Sequence, residues 1–150
     1  MAIAIFPGSF DPYTIGHHSV VERALGMFSK IVIAIGINES KHTMYSVQER
    51  KEAIERLYAG NDKIEVVAYS GLTIDLASSL GADYLLRGVR SLKDFEYERT
   101  IADVNRSLTG IETVLLYTLP EHSHISSSIV RELLHFGQDV TPFLPSAIEK

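Results

Sequence analysis

The feature that most constrains this chain is its opening run, Ile3-Ala4-Ile5-Phe6-Pro7-Gly8-Ser9-Phe10-Asp11-Pro12-Tyr13-Thr14-Ile15-Gly16-His17-His18. Ile3 to Phe6 reads as a short buried strand, and Pro7 and Gly8 end it. Val20, Val21, Ala24, Leu25 and Phe28 then recur at helical spacing. Strand, tight loop and helix form the opening unit of a parallel α/β sheet. The loop enters a helix N-terminus, where free backbone N–H groups and the helix dipole favour an anion. Gly16 lets a phosphate approach the backbone there, and His17 adds a side-chain donor. The loop has no Gly-Lys-Ser/Thr ending and no G-x-G-x-x-G pattern, so it is neither a P-loop nor a dinucleotide fingerprint. A purely structural reading also fits the stretch taken alone, with Gly16 serving helix–strand packing and His17 standing as a solvated helix-start residue.

At 150 residues the chain predicts a single domain, 1–150, with a substantial core. It contains no cysteine, which excludes disulfides, thiolate metal sites and a cysteine nucleophile, and which fits a cytoplasmic protein. A net charge of −5 argues against broad nucleic-acid binding but allows a local basic pocket for phosphates. No apolar stretch approaches membrane-spanning length. The chain enters its first strand with no basic region ahead of it, so no signal peptide is expected.

Lys30 to Ile37 predicts a second strand, buried on both faces, followed by the polar loop Asn38 to His42. In an open parallel sheet such loops form the ligand crevice, which makes Lys41 a candidate phosphate contact. Ser46-Val47-Gln48-Glu49 is a capping box opening the second helix, and Glu49, Arg50, Lys51, Glu52, Glu55 and Arg56 read as its solvated face. Lys63 to Tyr69 is the third strand, and a helix runs from about Ser70 to Leu80. Tyr84 to Leu86 is the fourth strand, leading into Arg87-Gly88-Val89-Arg90. Two arginines around a glycine at a strand end suit phosphate recognition, because the guanidinium fork matches phosphate oxygens. Ser91 caps a helix from about Leu92 to Leu108, and on spacing alone Glu98 is an exposed carboxylate of that helix. Glu112 to Tyr117 is the fifth strand. After the loop Thr118 to His124, Ile125-Ser126-Ser127-Ser128-Ile129-Val130-Arg131 opens the last long helix, where hydroxyls beside free N–H groups make an anion-binding end. The serines could equally do no more than start the helix. His17, His122 and His124 form no known zinc spacing, and no G-x-S-x-G elbow supports a serine hydrolase, so no protein metal site is expected.

Pro7-Gly8-Ser9-Phe10-Asp11-Pro12 with Thr14-x-Gly16-His17 resembles the first motif of the nucleotidyltransferase superfamily, and Ile125 to Arg131 resembles its second. Arg87-Gly88-Val89-Arg90, Asp94-Phe95-Glu96-Tyr97-Glu98 and Asn105-Arg106 narrow the resemblance to the bacterial phosphopantetheine adenylyltransferases, over nearly the whole chain. The resemblance implies a doubly wound, Rossmann-like five-stranded parallel sheet. It implies transfer of an adenylyl group from ATP to 4′-phosphopantetheine, giving dephospho-coenzyme A and pyrophosphate without a covalent intermediate. It makes His17 the catalytic residue. It assigns Ser9, Phe10, His17, Gly88, Val89, Arg90, Glu98 and the segment His122, Ser123, His124, Ile125, Ser126, Ser127 and Ser128 to ATP, and Ser9, Lys41, Thr73 and Arg87 to the acceptor. It further implies Mg²⁺ on the triphosphate, a homohexamer and a cytoplasmic location. Two alternatives remain at this point. One is a nucleotidyltransferase acting on nicotinamide mononucleotide or on a glycerol- or sugar-type phosphate. Its first motif would more often begin with His than with Thr14, and it would lack the Arg87 to Arg90 pattern. The other is a non-catalytic nucleotide-binding module.

Overall fold

A computed structural model of the chain describes residues 1–146. Five strands alternate with five α-helices: β1 (Ile3–Gly8), α1 (Ile15–Ala24), β2 (Lys30–Gly36), α2 (Val47–Leu57), β3 (Ile64–Tyr69), α3 (Thr73–Leu80), β4 (Tyr84–Val89), α4 (Leu92–Thr109), β5 (Glu112–Tyr117) and α5 (Ser127–His135). The strands form one parallel sheet in the order β3-β2-β1-β4-β5, the doubly wound arrangement the sequence predicts.

Alternation along the central strands sorts the core into two layers. Phe6 of β1 and Ile31, Ile33 and Ile35 of β2 meet Val20 and Val21 of α1 and Ile54 of α2 on one face. Ile5, Val32 and Leu85 meet Ala77 of α3 on the other. Strands buried on both faces account for the near-continuous apolar runs in the sequence.

Strand order reverses between β1 and β4, and there the sheet opens. β1 pairs with β2 along its whole length, from Ile3 to Gly8, but with β4 only at Ala4 and Ile5. Pro7 has no N–H to offer, and it stands where β1 no longer has a strand partner on the β4 side. The Arg87 side chain enters this gap and donates from a guanidinium nitrogen to the Pro7 carbonyl. This is the topological switch point, the usual seat of ligands in open α/β sheets.

Several boundaries differ from the sequence reading, each for a tertiary reason. β1 continues through Pro7 and Gly8 because β2 pairs with both. β4 extends to Val89 because β5 pairs with it through Tyr117, so Arg87 and Gly88 lie within a strand. Gly88 has a packing task too: a Cβ there would lie 3.1 Å from Val20 Cγ2, so α1 sits directly against β4. Gly8 is required by its own loop, since a Cβ would come within 2.9 Å of the Phe10 ring. Arg50 departs most from its expected place. It is 5 % exposed rather than part of the wet face of α2. It falls on the helical stripe of Ala53, Ile54 and Leu57, and tertiary partners make its burial tolerable, as described below.

Candidate active site

Thr14 and His17 form a capping box at the start of α1. The Thr14 hydroxyl accepts from the His17 amide (3.3 Å), and the Thr14 amide donates to His17 Nδ1 (2.9 Å). Histidine thus takes the place that Glu or Gln holds in an ordinary capping box. Because Nδ1 accepts a backbone N–H, the ring proton of the neutral imidazole resides on Nε2. Tyr13 stacks on the ring at 5.2 Å and Phe10 meets it edge-on at 5.0 Å. The imidazole is half-buried and borders the main chamber. Burial foremost, then Arg87 and Arg90, lowers its pKa from 6.5 to about 3. His17 is therefore a neutral N–H donor and no solvated helix-start residue.

The loop between β1 and α1 is bracketed by distant side chains. Phe10 has a left-handed backbone (φ 51°), which a non-glycine residue holds only under constraint. Its ring is locked between Phe6 and Tyr13 at 5.3 and 5.2 Å. Arg50 donates to the Ser9 carbonyl (2.6 Å), and Ser127 to the Pro12 carbonyl (2.7 Å). Arg131 donates to the Asp11 carbonyl (2.7 Å) and to Ser128 Oγ (3.1 Å). The two terminal motifs, more than a hundred residues apart, are thereby joined in one wall.

The main chamber has a volume of about 330 Å³. Ser9, Phe10 and His17 line one side, Lys41 lies at its mouth, and Arg87, Gly88, Arg90 and Glu98 line the β4–α4 side. Ile125, Ser126, Ser127 and Ser128 close the far end. Ser126 spends its hydroxyl on the α5 cap, accepting from the Ile129 amide at 3.2 Å. Arg131, Asp94 and Thr118 also line the chamber; Arg131 and Asp94 stand within the sequence motifs, but none of the three is assigned to a ligand by sequence. Arg131 closes the second motif, three residues beyond Ser128 on the same helix face, and that spacing is the signal for its place in the wall.

Glu98 is 7 % exposed and grips Arg87 with both oxygens, at 3.0 and 2.8 Å. The expectation of an exposed helix carboxylate fails because α4 turns that face onto the end of β4. Arg87 is consequently held before any ligand arrives. Arg90 is tied to Asp94 at 3.1 Å and is more exposed. Val89 is buried in β4, and its carbonyl accepts from the Thr118 amide and hydroxyl at 2.8 and 3.0 Å. His122, Ser123 and His124 do not line the chamber. His122 ends a 3₁₀ turn, Ser123 donates to the Pro120 carbonyl (3.0 Å), and the His124 ring packs edge-on against Phe143 at 6.2 Å.

A second chamber of about 280 Å³ adjoins the first across Pro7, Gly8, Ser9, Arg87 and Glu98. Its outer walls are less charged, with Tyr69, Thr73, Tyr97, Ile101, Ala102 and Asn105. Thr73 shares a hydrogen bond with the Tyr69 hydroxyl at 2.7 Å. Among the described residues no three His, Cys, Asp or Glu side chains come together as a metal site, and no helix is long and apolar enough to cross a membrane.

A charged chamber walled by two helix N-termini, at the switch point of such a sheet, defines a nucleotide-handling α/β protein. The family model for cytidylyltransferase-like proteins matches residues 5–133. A protein assigned as a nicotinate-nucleotide adenylyltransferase, from Vibrio parahaemolyticus, shares the fold with a TM-score of 0.69 at 22% identity, over 99% of this chain and 97% of that one. The phosphopantetheine adenylyltransferase of Phocaeicola vulgatus is 57% identical over 149 residues, covering 99% of both chains. That of Porphyromonas gingivalis is 57% identical over 143 residues, covering 95% of this chain and 94% of that protein. That of Limosilactobacillus reuteri is 42% identical over 151 residues, covering 100% and 87%. The chain belongs to the phosphopantetheine adenylyltransferase family of the nucleotidyltransferases.

Proposed function

We propose that the protein transfers the adenylyl group of ATP to 4′-phosphopantetheine, forming dephospho-coenzyme A and releasing pyrophosphate. The observation that carries this reading is the pair of adjoining chambers with Arg87 at their junction and His17 on the wall of the main one. The main chamber, rich in arginine and serine, suits the nucleotide. The less charged one suits the pantetheine arm, with Thr73 and Tyr69 at its wall. The acceptor phosphate then lies between Lys41 and Arg87, facing the α-phosphorus of ATP.

In this mechanism an oxygen of the acceptor phosphate attacks the α-phosphorus in line. The bond to the β-phosphate oxygen breaks, and its electron pair leaves with pyrophosphate. A phosphate monoester is largely a dianion near pH 8, its second pKa being about 6, so no proton has to be removed. Catalysis rests on positioning and on donors aimed at developing charge. His17 Nε2–H donates to an α-phosphate oxygen. Ser9 and the Phe10 backbone, Arg90, Arg131 and the Ser126 to Ser128 helix start hold the remaining phosphate oxygens.

The donor set also bears on Mg²⁺. Asp94 and Glu98, the carboxylates of the main chamber, are each engaged by an arginine. That arrangement fits a cation carried in by the triphosphate, ligated by phosphate oxygens and water, so that MgATP is the substrate. A cytoplasmic location accords with the cysteine-free sequence.

Detection of pyrophosphate on mixing the protein with ATP, Mg²⁺ and a panel of acceptors tests the reading. Phosphopantetheine is expected to give the highest kcat/KM, and chelation of Mg²⁺ to abolish turnover. Faster turnover of nicotinamide mononucleotide would overturn the acceptor, and no pyrophosphate with any acceptor would leave a binding module. We further propose a homohexamer. Tyr97, Ile101, Val104 and Leu108 recur at helical spacing on α4 and are 66%, 37%, 52% and 65% exposed, an apolar stripe suited to another copy. Sedimentation showing a monomer at micromolar concentration would refute this.

A further inference from the structure

Lys41 has a task in the proposed reaction, and this inference rests on that reading: something must hold a loop lysine where the acceptor phosphate arrives. We infer that Asp11 is a positioning residue for Lys41, fastening the far end of the lysine loop to the first-motif loop. The Asp11 carboxylate is 2 % exposed and lines neither chamber. Its two oxygens accept from consecutive amides, Oδ2 from Met44 and Oδ1 from Tyr45, both at 2.9 Å. A carboxylate is the side chain for this, because it only accepts and presents two oxygens side by side.

The grip on Tyr45 is double. Its N–H is held by Asp11, while its carbonyl accepts from Arg50 Nε at 3.1 Å. The same Arg50 donates to the Ser9 carbonyl. The end of the lysine loop and the start of the first-motif loop are thus clamped together by two buried side chains. At its front the loop is turned by Asn38, whose carbonyl accepts from the Lys41 amide at 3.0 Å and whose side chain accepts from Ser40. Between these ties only His42 and Thr43 separate Lys41 from the Asp11 anchor, so the lysine Cα has little room to wander. Its side chain borders the main chamber. The link from Asp11 to the nucleotide wall is different in kind. Arg131 donates to the Asp11 main-chain carbonyl at 2.7 Å, a contact that a side-chain substitution at 11 keeps, and it reaches the carboxylate itself only as a long 3.9 Å ion pair with Oδ2.

The test is a double-mutant cycle: KM and kcat for MgATP and phosphopantetheine in wild type, Asp11→Asn, Lys41→Ala and the double variant. Asn keeps the shape but sets an N–H₂ against one of the two amides. Asp11→Asn should raise the acceptor KM about tenfold or more, with the ATP KM within about twofold. In the Lys41→Ala background the same substitution should change the acceptor KM by less than about twofold, because the residue it positions is gone. Equal effects in both backgrounds, or an equal rise in the ATP KM, would overturn the inference. Wild-type turnover of phosphopantetheine reads the proposed function separately, since a failure there appears before any substitution. Should Asp11→Asn not fold by circular dichroism, Met44→Pro removes one of the amides and leaves the carboxylate. It is expected to show the same acceptor-selective loss, and an unchanged acceptor KM would refute the tie.

Discussion

His17→Ala is expected to lower kcat by on the order of 10²–10³, the usual consequence of removing one donor to transition-state charge. ATP affinity should stay within a few-fold of wild type, because the serine and arginine walls remain. The Thr14 amide occupies Nδ1 and so leaves Nε2–H as the group offered to the chamber. A base there would have no proton to take. His17→Gln, which can still present an N–H, should keep part of the rate. Ring-nitrogen NMR should find His17 of the ligand-free protein as the neutral Nε2–H tautomer at pH 5, since its pKa is lowered to about 3. An unfolded histidine takes its proton near pH 6.5 and the folded one only near 3. The unfolded chain therefore holds the extra proton between those values, and this residue's contribution to stability is lost as the pH falls through that window. Near-normal kcat in His17→Ala, or a protonated ring at pH 5, would remove His17 from the reaction.

Arg87→Ala should damage both the acceptor site and the fold. Loss of a charge-assisted contact to the acceptor phosphate costs roughly 1.5–3 kcal/mol, about 10- to 150-fold in acceptor kcat/KM. The substitution also strands Glu98, whose side chain is 9% exposed, without its bidentate partner. Breaking a fully buried pair costs about 3–5 kcal/mol, but Arg87 is 32% exposed and solvent screens part of the interaction, so about 1–3 kcal/mol of stability is expected. Arg87→Lys should rescue neither property fully, because a point charge cannot fill the fork between Glu98 and Pro7. Glu98→Gln should lower stability as well, yet keep more acceptor turnover than Arg87→Ala. If Arg87→Ala bound the acceptor as tightly as wild type, the phosphate would have to lie elsewhere.

The order of strands and helices, the parallel class of the sheet and the two phosphate-directed motifs were legible in the sequence. Apolar runs of period two or wholly buried, helical spacing and capping residues are local properties, and the backbone obeys them locally. The strand C-terminal loops also follow from that order, so His17, Lys41, Arg87, Arg90 and the Ser126 to Ser128 segment could be named as neighbours. Arg50 left a faint signal, a cation on the apolar stripe of its helix, which composition of the helix surface overrode. Tertiary structure alone decided the rest. The tautomer of His17 depends on which nitrogen the Thr14 amide meets, and its pKa on the rings and guanidinium groups packed around it. Glu98 became the partner of Arg87 only when α4 laid one face over the end of β4. Asp11 found Met44 and Tyr45, and Arg131 found Asp11, across gaps of 33, 34 and 120 residues. A spacing pattern reports which residues share an element's face. It carries no record of which side chain from a distant element will meet that face, because that pairing is set by how the layers pack around the switch point.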